Sequence, residues 1–115
     1  MGRAARIALC LSLAATPAAA HHGWSEYDST KPLKLTGKII ESGYEHPHGE
    51  VRLETPGKTW NVVLAPPSRM EFRGLDKRML APGGSATVEG YANRNKPDEL
   101  RAERITIQGK TIELR

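Results

Sequence analysis

A two-residue alternation of apolar and polar side chains, restarted repeatedly by turn residues, limits what this chain can fold into more than any other feature. Leu33, Leu35, Gly37 and Ile39 alternate with Lys34, Thr36, Lys38 and Ile40. Successive side chains of an extended strand point to opposite faces, so such a run offers one face to a core and the other to water. Val51 and Leu53 alternate with Arg52 and Glu54 in the same way. Thr55-Pro56-Gly57-Lys58 is a tight turn, in which Pro presets φ and Gly accepts a positive one. Trp60, Val62 and Leu64 then return as the second arm of a hairpin, with Trp60 directed to the core. Beyond Ala81-Pro82-Gly83-Gly84, Ala86, Val88 and Gly90 alternate again, and the polar loop 93–98 leads to Leu100, Ala102, Ile105 and Ile107. That last run slips phase near Glu103–Arg104, which predicts a bulge. Thr111–Leu114 forms a final short strand.

One helix interrupts this pattern. Pro66-Pro67-Ser68 stops the third strand, Ser68 is placed to cap a helix through Arg69–Arg73 with Glu71 as its box partner, and Gly74 ends it. Residues Leu75 to Leu80 add a further helical turn. Five or six short strands with a helix between the third and fourth is the order of a small all-β Greek-key barrel of OB type, and a small sandwich shares much of the pattern. The barrel is expected over 33–115, preceded by an arm over 21–32 without sustained periodicity.

Residues 1–20 have the three parts of a secretory signal peptide. Arg3 and Arg6 make a basic start, Ile7 to Ala15 an apolar stretch, and Thr16-Pro17-Ala18-Ala19-Ala20 a helix-breaking end with small side chains where signal peptidase cuts. The apolar stretch is too short to span a bilayer, so a periplasmic or secreted protein without a permanent membrane anchor is expected. Cleavage after Ala20 removes Arg3 and Arg6, so 17 basic residues become 15 against 13 acidic ones and the net charge falls from +4 to +2. Nucleic-acid binding thereby loses its compositional support. Cys10, the one cysteine, leaves with the leader. The mature domain is then without disulfides, and a metal site in it must use His, carboxylate, Tyr, Met or backbone ligands.

All four histidines fall in two tight groups, His21–His22 and His46-Pro47-His48. Cleavage after Ala20 makes His21 the first residue, whose free amine and Nδ1 form a chelate ring from a single residue. A third nitrogen from a distant imidazole, His48 first and His46 second, completes a T-shaped site of the kind that suits Cu(II). Residues 46 and 48 share a face if their segment is extended. Alternatively the His21 amine, the His22 backbone nitrogen and the His22 imidazole bind copper without help from the barrel. Glu26, Tyr27 and Asp28 are candidate axial or outer groups. Zinc is the rival ion, held tetrahedrally by three or four imidazoles with a carboxylate. The plain alternative is a solvated tail and a strand-connecting turn.

Several segments resemble a family of small secreted bacterial proteins of unknown function. They are His21-His22-Gly23-Trp24-Ser25-Glu26-Tyr27-Asp28, Leu35-Thr36-Gly37, Tyr44-Glu45-His46-Pro47-His48, Leu64-Ala65-Pro66-Pro67-Ser68-Arg69 and Leu80-Ala81-Pro82-Gly83-Gly84-Ser85-Ala86-Thr87-Val88-Glu89-Gly90. The family pattern has Trp where Tyr44 stands and Asn where His46 stands, so His48 is the family's histidine and His46 an addition. The resemblance implies export and a small β-barrel, and brings no activity with it.

The remaining candidates read more plainly. Trp24 and Tyr27 are expected to plug the arm onto the barrel rather than stack on a ligand. Met70 and Met79 are expected to pack the helix. Arg69, Arg73, Lys77 and Arg78 form a basic cluster, read as a solvated face with an anionic partner as the minority reading. No nucleophile elbow, phosphate loop or dinucleotide fingerprint is present, and Ser25 near His22 and Asp28 has triad residue types only by proximity in sequence, so catalysis has little support. The leading expectation is a non-catalytic periplasmic protein that binds copper for storage, delivery or tolerance, through His21, His22, His46 and His48. The alternatives are a binding module taking a peptide, glycan or periplasmic partner protein on its barrel face, and a small oxidative copper enzyme.

Overall fold

The computed structural model describes residues 23–115, so the leader expected over 1–20 and the pair His21–His22 lie outside the described residues. Among those described, β1 (Tyr27–Gly43), β2 (Glu50–Thr55) and β3 (Lys58–Val63) are followed by α1 (Pro67–Phe72) and a 3-10 turn at Lys77–Leu80. β4 (Ser85–Asn93), β5 (Glu99–Ile107) and β6 (Lys110–Glu113) complete the chain. The sheet order is β3-β2-β1-β4-β5-β6, and an additional pairing of β3 with β5 closes it into a barrel. That closing pair is parallel, from Asn61 opposite Glu99 to Val63 opposite Arg101, while the other pairs are antiparallel. Five strands closed in this way, with a helix between β3 and β4, are the expected OB-type barrel, and β6 is added to β5 as a hairpin.

β1 serves two partners. Its first part pairs with β4 and its last part with β2, with a register shift between Ile39 and Glu41. Gly37 sits near the crossover, where a Cβ would lie 2.2 Å from the Glu54 carbonyl oxygen, so only glycine lets the strands approach. The bulge expected near Glu103–Arg104 is present: Arg104 opposes Glu89 and Ala102 opposes Gly90, which leaves Glu103 as the extra residue. A Cβ at Gly90 would meet the Arg101 carbonyl oxygen at 1.9 Å, so the bulge needs glycine opposite it.

Alternation fills the interior as the sequence predicts. Ile39, Val51, Leu53, Val62, Leu64, Val88, Leu100, Ala102 and Ile105 are buried, and Met70, Leu75 and Leu80 join them from α1 and the segment after it. Trp60 is only half-buried against this core, with the Lys58 ammonium 3.9 Å from its ring centre. Met70 is fully buried and Met79 packs against the core, the packing roles expected for both.

Two local expectations are corrected. The helix begins earlier than a Ser68 cap would place it: Pro66 is the N-cap, Pro67 is the first helical residue, and no side chain caps the turn. Proline at that position has its φ already set and no N–H to satisfy, so it starts the helix without a hydroxyl. The opening strand also starts at Tyr27, six residues before the alternation at Leu33, and takes up much of the segment expected as an arm over 21–32. The pairing with β4 is irregular between Tyr27 and Pro32, and Asp28 turns its carboxylate back onto the Thr30 N–H and hydroxyl at 3.0 and 2.6 Å. Polar local bonding of this kind hides a strand from a periodicity reading.

Candidate functional site

The His-Pro-His segment is the loop between β1 and β2. Both of its ends are fixed to the barrel. At one end the Tyr44 hydroxyl donates to the Leu75 carbonyl. At the other the Gly49 N–H donates to Ala65 O at 2.8 Å, and the Leu64 N–H donates to Gly49 O at 2.9 Å. Gly49 is buried against Met70, where a Cβ would lie 2.5 Å from the methionine methyl. Between these anchors the chain bends, with a cis peptide bond before Pro47, and is not extended. The shared-face expectation for residues 46 and 48 therefore does not apply: His46 is exposed and His48 half-buried. Together with Glu45 and Glu50 they line a shallow pocket of about 200 Å³.

A second cluster holds the root of the arm. Trp24 opens a 3-10 turn, Trp24–Glu26. Two guanidinium groups lie against its ring, with the Arg101 Cζ 4.3 Å and the Arg115 Cζ 4.4 Å from the ring centre. Tyr91 meets it edge-on at 6.2 Å, and Tyr27 is tilted against it at 6.3 Å. Arg94 ties the same turn from the β4–β5 loop, its side chain donating to Ser25 O at 3.1 Å and its backbone N–H to Glu26 O at 2.9 Å. Tyr27 is fully buried, and its hydroxyl donates to Glu99 Oε2 at 2.6 Å, an oxygen that also accepts from Asn93 at 3.0 Å. Burial first, and then the Glu99 carboxylate, push the Tyr27 phenol well above its ordinary range. The Tyr27 hydroxyl is thus engaged inside the barrel with Glu99. Asp28 carries a carboxyl that its hydrogen bonds to Thr30 hold below the usual range. Trp24 and Tyr27 thus plug the arm, as expected. Arg101 and Arg115 were not singled out from sequence, because a basic residue on a strand face carries no local signal of an aromatic partner tens of residues away.

Strand pairing relates the two clusters. Arg101 opposes Val63, and Val63 opposes Glu50, two residues beyond His48. Strands are about 4.8 Å apart, so two such steps put the Arg101 backbone roughly 10 Å from that of Glu50. His46 and His48 do not make a metal site alone. Among the described residues no group of three or more His, Cys, Asp or Glu side chains converges.

The basic cluster resolves into structural roles. Arg69 donates to Leu114 O at 3.0 Å, and Arg73 donates to Glu113 O and Arg115 O at 2.8 and 2.9 Å. These two residues fasten the chain end that follows β6, while Lys77 and Arg78 are exposed.

The outer face of β1, β2 and β3 carries a groove of about 580 Å³, lined in part by Glu41, Glu50, Glu99, Arg52 and Asn61. OB barrels commonly take ligands on this face. Here three carboxylates oppose one guanidinium, Arg52 lies 3.9 Å from Glu41, and no aromatic side chain lines the groove. Single-stranded nucleic acid uses the reverse, a basic track with aromatic platforms.

Comparison with known proteins agrees with the barrel. The crystal structure of a ZRD-deleted mutant of TiaS in complex with agmatine superposes at a TM-score of 0.55 with 20% identity, covering 76% of this chain and 27% of that one. A crystal structure of TiaS in complex with a tRNA and ATP gives 0.52 with 22% identity, covering 70% and 19%. The S. pombe Stn1-ten1 complex gives 0.55 with 16% identity, covering 69% and 59%. At such identities the likeness is one of fold, and the chain spans only about a quarter of the first of these structures. No curated protein sequence matches significantly. The profile of one family, described as a family of unknown function (DUF6152), matches residues 8–100, most of the chain, and to that family this protein belongs.

Proposed function

We propose that the protein is an exported, periplasmic metal-binding protein that holds copper without turnover. In this reading the amine and imidazole of His21, freed by cleavage after Ala20, bind the ion together with His48. His22 and His46 are the further imidazoles within the chain's reach. The observation that supports the reading is the strand pairing between the two clusters. Arg101, whose guanidinium lies on the Trp24 ring, has its backbone two strand steps from that of Glu50, two residues beyond His48. Three residues of extended chain reach about 10 Å, which is the reach this reading requires of residues 21–23. Copper is favoured over zinc because an amine–imidazole chelate suits a tetragonal ion, and Cu(II) heads the divalent affinity order.

The test is calorimetric titration of the processed protein with Cu(II) and Zn(II), beside His48→Ala and His46→Ala. Submicromolar Cu(II) binding that weakens about tenfold or more in His48→Ala and little in His46→Ala is expected, since one lost nitrogen ligand is a large part of a three-nitrogen site. Absence of submicromolar uptake would remove the proposal.

The groove over β1–β3 supports a second reading, a non-catalytic module that takes a peptide, glycan or partner protein there. It differs in outcome. Function would survive loss of His48 and fail on substitution of Arg52 and Asn61.

A further inference from the structure

We propose that the groove over β1–β3 takes an extended peptide segment with basic side chains four residues apart and an acidic side chain midway between them. The inference rests on the reading of this groove as a binding face and names what the face accepts. Strand pairing lines up one polar row across the groove: Glu41 opposes Arg52, Arg52 opposes Asn61, and Asn61 opposes Glu99. All four residues line the groove of about 580 Å³. The charge order across it is therefore negative, positive, neutral, negative. Three strand steps of about 4.8 Å make the row about 14 Å wide. Side chains on one face of an extended peptide recur every 7 Å or so, which puts positions i and i+4 about 14 Å apart. Two basic side chains at that spacing meet Glu41 and Glu99, and the residue midway between them meets Arg52 and Asn61.

Glu99 is the fixed end of the row. Its Oε2 accepts from the Tyr27 hydroxyl at 2.6 Å and from Asn93 at 3.0 Å, two buried side chains, while Oε1 accepts no hydrogen bond among the described residues. Asn93 is held in turn by the backbone N–H groups of Asn95 and Lys96. A carboxylate ordered in advance spares a ligand that ordering cost, and a cationic donor gives it a charge-assisted bond. Glu41 is the loose end, exposed and 3.9 Å from Arg52, a contact that a ligand exchanges at little cost. Glu50 lines the same groove, is exposed, and makes no ion pair among the described residues, so the surface around the row also favours a cation. A sugar chain fits less well, because sugar rings rest on aromatic faces and no aromatic side chain lines the groove.

The test is titration of the processed, ¹⁵N-labelled protein with the blocked pentapeptide Lys-Ala-Glu-Ala-Lys, read as amide shifts. Its controls are the charge-reversed Glu-Ala-Lys-Ala-Glu, the all-basic Lys-Ala-Lys-Ala-Lys, and the neutral sugar chain cellohexaose. Shifts should concentrate at residues 40–43, 50–52, 61 and 99. The first peptide should bind about tenfold tighter than its reversal, because wrong charges then face each other at every position. It should bind about threefold tighter than the all-basic peptide, whose middle lysine meets Arg52. Glu99→Gln, which keeps an oxygen to accept from Tyr27 and Asn93, should weaken the first peptide about tenfold. Glu41→Gln, at an exposed position without a structural role, should weaken it about threefold and decides the matter if the Glu99 variant folds poorly. Arg52→Gln should abolish the preference over the all-basic peptide. Equal affinity for the peptide and its reversal, or full affinity in both Glu variants, would overturn the inference. Groove shifts with cellohexaose and none with the peptide would overturn it while leaving the groove a binding face. Absence of groove shifts with every probe would remove both.

Discussion

At the scale of single residues, glycines and tyrosines carry the clearest consequences. Gly37 admits no Cβ because a backbone oxygen occupies the space at 2.2 Å, and backbone cannot step aside as a side chain can. Gly37→Ala should therefore cost about 3 kcal/mol, at the upper end of overpacking penalties, read as a lower midpoint in urea with an unchanged slope. All three tyrosines are held above their ordinary pKa of 10.0: Tyr27 and Tyr44 mainly by burial, Tyr91 mainly by its bond to Glu103. A phenol whose folded pKa is raised contributes stability that is complete below about pH 10 and is lost as pH rises toward the folded value. Ionisation of Tyr27 should accordingly appear together with unfolding, rather than as a separate step near pH 10. Tyr27→Phe should flatten part of the alkaline loss. A tyrosine that ionises in the folded protein at its ordinary pKa would contradict this account. Such roles are unevenly legible in sequence. A Tyr in an aromatic arm reads as a plug, yet its carboxylate partner, Glu99, lies 72 positions away, and no local pattern points to it.

At the scale of elements, the strands were legible wherever one face is apolar, and illegible where local polar bonding replaces alternation, as in residues 27–32. The bulge at Glu103 could be read because a phase slip in an apolar run has few other meanings. The start of α1 could not, because Ser68 with Glu71 imitates a capping box while Pro67 supplies the same start by covalent geometry. The end of the chain shows what a basic run can conceal. Arg69 and Arg73 reach across to three successive carbonyls, at 113, 114 and 115. Hydrogen bonds from a charged donor contribute more than neutral ones, although solvent screens the exposed Arg73 contacts. Replacing both arginines with alanine should thus cost about 1–2 kcal/mol. Amide exchange at residues 110–114 should rise well before global unfolding. Unchanged protection there would mean that β6 is held by its pairing with β5 alone.

At the scale of the whole molecule, the barrel is closed by a parallel β3–β5 pair that no local feature of sequence announces. That closure puts Arg101, which touches Trp24, two strand steps from Glu50 beside the His-Pro-His loop. It explains why the histidine groups could be recognised as candidates from spacing, while the grip of Arg101 and Arg115 on Trp24 could not. It also puts Glu41, Glu50 and Glu99 over the face that OB barrels commonly use. A single-stranded oligonucleotide should accordingly show no salt-sensitive binding at micromolar concentration by fluorescence anisotropy. A steep loss of such binding with added salt would reveal phosphate contacts that the groove gives no reason to expect. The central claim is that a liberated terminal nitrogen and a loop imidazole hold one ion between them. The measurement that reaches it most directly is Cu(II) titration of the processed protein beside a version carrying one extra alanine ahead of His21. The chelate ring needs the free amine on His21 itself, so the extension should weaken binding by about a hundredfold, or close to ~3 kcal/mol. Equal affinity in the two proteins would show that the amine takes no part, and the proposed site would be wrong.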